Sequence, residues 1–183
     1  MNDLSMIKRL AEQNFFPGTS GNVSYKTDKV IHITKTSLYK INIKESDFVE
    51  MDINGNLLKG ENPSTEVKMH LEIYKNAPDA KAIIHAHPPF LTLLSIIEKL
   101  PIKETIPETY EALGEIALTS YHKSGSKELA IEVGLKSKNS SCIILNHHGA
   151  VTTGNSIKEC VVKMEAFEYI AKETYYYMLL KGK

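Results

Sequence analysis

The sequence predicts one α/β domain whose central sheet is largely antiparallel. Three observations carry that expectation. Apolar residues recur at helical spacing in several segments. Short β-branched runs alternate with those segments. The early runs are joined by tight turns at Asp28-Lys29 and Asn54-Gly55, so they pair as hairpins rather than through the crossover helices of a doubly wound sheet. No repeat, low-complexity tract or linker divides residues 1–183.

Taken in order, Leu4, Ile7, Leu10 and Ala11 mark a first helix that starts near Asp3 or Ser5 and ends near Asn14. The segment 15–22 (FFPGTSGN) reads as a turn. Strands are expected at 23–26, 30–34, 47–51 and 56–58. Pro63-Ser64-Thr65 opens a helix that carries Val67, His70, Leu71 and Tyr74 to about Asn76. Ile83-Ile84-His85-Ala86-His87 follows as a strand, stopped by Pro88-Pro89, which lead a helix to Lys99. Pro101, Pro107 and Gly114 leave 101–114 undefined. Beyond it come a strand at 116–121, a helix at 126–136 and strands at 142–145 and 150–153. A last helix runs from its cap Ser156 to about Leu180, burying Val161, Met164, Ala166 or Phe167, and Ile170. Tyr175-Tyr176-Tyr177 falls on its surface or at an oligomer contact.

Composition narrows the class. The chain is 42% hydrophobic and 24% charged, as in soluble globular proteins. Its 22 basic and 22 acidic residues cancel, leaving no electrostatic footprint for nucleic acid or an anionic membrane. Cys142 and Cys160 lack CxxC spacing and read as reduced core residues. Met1-Asn2-Asp3 leads straight into the first amphipathic pattern, without a basic-then-apolar leader. The longest nearly apolar run, Phe90 to Ile97, is too short to span a bilayer. A cytoplasmic protein is expected.

Two constellations carry chemistry. On a strand His85 and His87 project from the same face, and His148, just before Gly149, could complete a three-histidine site with an open position for substrate. His147 competes with His148, because on a strand the two would face opposite ways. Glu66 lies in the first turn of its helix, and Pro63, three residues earlier, is too poor a cap for a capping box. It is therefore free to act as a ligand or a general base. The second constellation is Gly18-Thr19-Ser20-Gly21-Asn22, Thr34-Lys35-Thr36-Ser37 and Ser64-Thr65. Hydroxyls, turn amides and a helix start of this kind suit a phosphate monoester. GxxxxGK[ST], GxGxxG and GxSxG are all missing, which removes the usual nucleotide, dinucleotide and serine-hydrolase readings.

The ordered motifs GTSGNVS (18–24), TKTS (34–37), PSTEVKMHLEIY (63–74), IIHAHPP (83–89) and LNHHG (145–149) resemble the class II, zinc-dependent aldolase/adducin family. The resemblance covers nearly the whole chain and is greatest to the short members similar to L-fuculose-1-phosphate aldolase. It implies a three-layer α/β/α fold and a ring-shaped homotetramer with active sites between subunits. It makes His85, His87 and His148 the ligands of one zinc ion per subunit, and Glu66 a residue that alternates between ligand and base. It places Gly21, Asn22, Thr36, Ser37, Ser64 and Thr65 at the substrate phosphate, with Ser37 standing where the family usually has Gly. A neighbouring subunit would supply an acid/base residue from Ile106-Pro107-Glu108-Thr109-Tyr110, either Glu108 or Tyr110. The family's C-terminal tail, with a second tyrosine in some aldolases, is expected to be missing, since the chain stops at Lys181-Gly182-Lys183.

The expected activity is reversible aldol cleavage of a ketose 1-phosphate to dihydroxyacetone phosphate and an aldehyde. On the same residues the family also dehydrates methylthioribulose 1-phosphate and epimerises ribulose 5-phosphate at C4. Glu108 in the acid/base role would favour dehydration. A non-catalytic, adducin-like binding module is the remaining reading, which the intact set of histidines disfavours. Imidazole and carboxylate ligands accept manganese or cobalt as well as zinc.

Overall fold

The computed structural model describes residues 3–182. The expectations that fall on Met1, Asn2 and Lys183 lie outside them. Eight strands form one sheet: β1 (Asn22–Thr27), β2 (Val30–Thr34), β3 (Phe48–Met51), β4 (Leu57–Lys59), β5 (Ala82–Ala86), β6 (Ile116–Leu118), β7 (Cys142–Leu145) and β8 (Gly149–Gly154). Their order is β4-β3-β2-β1-β5-β8-β7-β6. Every pairing is antiparallel except β6 with β7. The fold is α/β, with the largely antiparallel sheet that the hairpin signals predict.

Among the described residues six α-helices cover the sheet: α1 (Asp3–Glu12), α2 (Val67–Asn76), α3 (Pro89–Ile96), α4 (Pro107–Leu113), α5 (Lys127–Lys136) and α6 (Ile157–Leu180). Period-two alternation sorts them into two outer layers. On β5, Ala82, Ile84 and Ala86 join the core under α1, α3 and α6, while Ile83 faces the core under α2 and α5. On β7, Cys142 and Ile144 join the first core, and Ile143 and Leu145 the second. Both cysteines are buried and unpaired. On α6, Phe167 rather than Ala166 is the fully buried residue.

Several boundaries differ from expectation, each for a local reason. Helix α1 ends at Glu12, because Asn14 adopts a left-handed φ of 64°. Helix α3 ends at Ile96, just before Glu98 at φ 55°. Helix α2 starts at Val67 rather than at Pro63. Pro63 instead bridges Lys35, Ser64 donates its N–H to Thr34 O, and a turn carries the chain into the helix. Glu66 is thus the N-cap position, with its side chain directed elsewhere. Strand β6 stops at Leu118, and residues 107–113 form α4 behind Pro107 at its first turn.

Candidate metal and phosphate site

The site forms at the C-terminal end of β5, between the central strands and α2. His85 is the penultimate residue of β5, and His87 lies just past the strand end, its N–H donated to Phe15 O at 2.8 Å. His148 comes from the turn between β7 and β8. Residues 146–148 are that turn, not strand, and His147 sits at φ 54° with its exposed ring edge-on to Tyr121. Only one of the two histidines joins the site, as expected, but a turn and not strand alternation separates them.

Two glycines let the backbones meet here. A Cβ on Gly149 would lie 2.5 Å from Ala86 O and 2.7 Å from His87 Cδ2. One on Gly21, at φ +70°, would lie 2.6 Å from His85 O. No side chain fits at either position.

The three imidazoles stand with ring centroids 4.7–5.0 Å apart. His85 donates Nδ1–H to Ala150 O at 3.0 Å, which leaves its lone pair at Nε2. That nitrogen faces His87 Nε2 at 3.1 Å and Glu66 Oε2 at 2.9 Å. His148 Nε2 lies 3.6 Å from Glu66 Oε1. Burial pushes His87 down to about 3 and His148 to about 4, and a proton on neighbouring His85 would lower both further, so these rings are neutral near pH 7. Burial opposes the charge on Glu66, but positive charge at the His85 and His148 positions, together with the Asn22 amide, would outweigh it and hold the carboxyl well below the ordinary carboxylate range, so a cation among these rings suits an ionised Glu66.

Neutral imidazole lone pairs and a carboxylate converge on one point, an arrangement that repels itself until a cation sits within it. The three ligand nitrogens lie within 4.8 Å of one another. Nitrogens bound tetrahedrally at ~2.0–2.1 Å are ~3.3 Å apart, so small ring movements close this set around a first-row divalent ion. His85, His87, His148 and Glu66 can hold a metal.

Glu66 is gripped on both oxygens. Asn22 Nδ2 donates to Oε2 at 3.1 Å, and Ser124 Oγ donates to Oε1 at 2.9 Å. Above it opens a cavity of about 230 Å³. Gly21, Asn22, Thr36, Ser37, Ser64 and Thr65 all line it, together with Glu66, His87 and His148. Ser64 Oγ accepts from Glu66 N–H at 3.3 Å, leaving its own O–H to donate. Glu108 and Tyr110 do not line the cavity, since α4 packs against α6.

Sequence reasoning passed over three residues. Ser124 lies in a stretch with no periodic pattern. Buried Lys40 donates Nζ–H to Thr19 O at 2.9 Å and Leu38 O at 3.0 Å, tying the loop after β2 to the turn before β1. Burial pushes its ammonium down to about 8. His70 read only as one apolar-face position of a helix. Lys40 and Ser124 stand in no motif, and His70, though inside the segment 63–74, carried no assigned role there; the long-range pairing reveals all three.

Comparison with known proteins places these residues in a family context. Residues 4–175 match the family model described as Class II Aldolase and Adducin N-terminal domain. The L-fuculose phosphate aldolase of Methanococcus vannielii is 37% identical over 163 residues, 89% of this chain and 88% of that protein. A 3-oxo-tetronate 4-phosphate decarboxylase of Haemophilus influenzae is 30% identical over 168 residues, 88% of this chain and 79% of that protein. A solved L-fuculose 1-phosphate aldolase superposes with a TM-score of 0.84 at 33% identity, covering 98% of this chain and 84% of that one.

Proposed function

The chain belongs to the class II aldolase and adducin family, whose named relatives here are lyases, and from that premise we propose a zinc-dependent aldolase acting on a sugar phosphate. The reaction is reversible cleavage of a ketose 1-phosphate, similar to fuculose 1-phosphate, to dihydroxyacetone phosphate and an aldehyde. One observation supports this above the others: three imidazole nitrogens and Glu66 converge at the floor of a cavity walled by hydroxyl residues.

When bound to His85, His87 and His148, with Glu66 as a further ligand, zinc supplies Lewis-acid polarisation of the ketone oxygen. Thr36, Ser37, Ser64 and Thr65 donate hydroxyls to the phosphate at the Gly21-Asn22 turn, which holds the remote end and orients the reacting carbon. In the synthesis direction Glu66 removes a proton from C3 of dihydroxyacetone phosphate. Asn22 and Ser124 hold its oxygens in position to receive that proton. A group on α4 of a neighbouring subunit, Glu108 or Tyr110, donates a proton to the aldehyde oxygen. Because neither residue lines the cavity of its own chain, this role supports a homotetramer with shared sites. We read residues 1–183 as one such domain, working in the cytoplasm. Among the described residues no helix is long and apolar enough to cross a membrane.

The Haemophilus influenzae relative favours a second reading, decarboxylation of a 3-oxo acid phosphate. Both reactions leave a carbanion next to a carbonyl, so the same donor set serves either. The test pairs metal analysis with product analysis. About one zinc per chain, dihydroxyacetone phosphate released from fuculose 1-phosphate, and loss of both on chelation or in His148→Ala are expected. Bound zinc with carbon dioxide and dihydroxyacetone phosphate released from 3-oxo-tetronate 4-phosphate, and no cleavage of fuculose 1-phosphate, would transfer the assignment to the decarboxylase. No metal even after zinc is added back would leave an adducin-like binding module.

A further inference from the structure

A hydrogen-bonded ladder runs from Glu66 into the core. Asn22 and Ser24 are two apart on β1, and Glu66, His70 and Tyr74 are four apart along α2 and its N-cap. Two strand residues advance ~6.7 Å and four helical residues ~6.0 Å. The two sets therefore stay in step, and each strand residue bridges two on the helix side. Asn22 joins Glu66 and His70; Ser24 joins His70 at 2.7 Å and Tyr74 at 2.8 Å. His70 and Ser24 are wholly buried, and Tyr74 is 2% exposed.

With Glu66 ionised and His70 neutral, every link takes one direction. An ionised carboxylate only accepts, so Asn22 turns its Nδ2–H toward Glu66 and its Oδ1 toward His70. That oxygen also only accepts, so His70 carries its hydrogen on Nε2. The Nδ1 of a neutral ring then accepts from the Ser24 hydroxyl, and Ser24 Oγ accepts from the Tyr74 O–H. The reverse tautomer would turn the Asn22 amide over and set its carbonyl against the Glu66 carboxylate.

We infer that His70 is a positioning residue: as the Nε2–H tautomer, with Nδ1 accepting from the Ser24 hydroxyl, it locks the Asn22 amide with its N–H toward Glu66. The inference rests on Glu66 being the proposed base and ligand. Its role is to choose between two amide orientations of equal shape, only one of which leaves Glu66 aimed at the cavity and the metal donors.

Imidazole ¹⁵N spectra of the zinc-loaded and metal-free protein test the lock directly, with His70→Gln used to assign the signal. A neutral Nε2–H tautomer in both forms is expected; an Nδ1–H or a charged ring overturns the inference. In His70→Leu, zinc affinity and kcat should each fall by about tenfold or more, with KM within about twofold of the parent. His70→Gln, whose side-chain amide can still donate to Asn22, should recover most of the loss. In an Asn22→Ala background His70→Leu should add little further loss. Equal damage from Leu and Gln, or full additivity with Asn22→Ala, would show a packing role and sink the proposal. If the protein cleaves no sugar phosphate, the aldolase reading fails while tautomer and zinc affinity still decide this one.

Discussion

The floor and the rim of the cavity are built on opposite plans. On the floor, His85 is fully buried and Glu66 is 5% exposed. His85 is tied behind to Ala150 O, and Glu66 is held by Asn22 and Ser124. On the rim, Thr36, Ser37 and Thr65 are exposed residues on turns. The contrast follows the work each part would do. Metal binding and proton transfer need donors held to a fraction of an ångström, so their partners lie inside the packed sheet. Capture of a phosphate needs only several hydroxyls close together, and exposed turns can provide them.

The contrast is open to test. Glu66→Gln should have the largest effect, lowering kcat by roughly 10²- to 10⁴-fold with a smaller change in KM. A variant raising only KM would erase the distinction from the floor side. Thr36→Ala should act the other way, raising KM roughly tenfold through loss of a hydrogen bond to a charged group, with kcat nearly unchanged. Steady-state kinetics over a range of ketose 1-phosphate concentrations separates these outcomes, and a fall in kcat at Thr36 would merge the two walls. Ser37→Gly should give the smallest effect. Ser37 sits at a left-handed φ of 55°, so glycine there should stabilise the fold by about 1 kcal/mol, seen as a Tm rise of about 2–4 °C. A fall in Tm would mean that the serine hydroxyl holds the rim together.

Particular residues show how far sequence reasoning reached. The HxH pair, the histidine before Gly149 and the acidic Glu66 were legible as candidates because a metal site selects a few side-chain types, whatever surrounds them. The six residues expected at the phosphate came from the family resemblance, out of three stretches rich in hydroxyls and glycines, and all six line one cavity. The start of α2 was missed: the pairing of Lys35 with Pro63, 28 residues apart in sequence, overrides the helix-opening look of Pro63-Ser64-Thr65. Ser124 could not be found at all, because its bond to Glu66 crosses a sequence separation of 58 residues.

The sequence by itself determined what repeats locally: the helical and strand periods, the hairpin turns that make most of the sheet antiparallel, and the residue types able to bind metal and phosphate. Side-chain spacing along one element follows backbone geometry and needs no partner. Only the tertiary structure decided which side chains finish one another's hydrogen bonds. It turned His147 away from the site at a left-handed φ, set Ser124 on Glu66, and matched a two-residue strand step to a four-residue helix step so that Tyr74, deep in the core, is linked to the carboxylate at the site. Those choices depend on how distant segments pack, and a buried polar group accepts whichever partner the packed fold brings within reach.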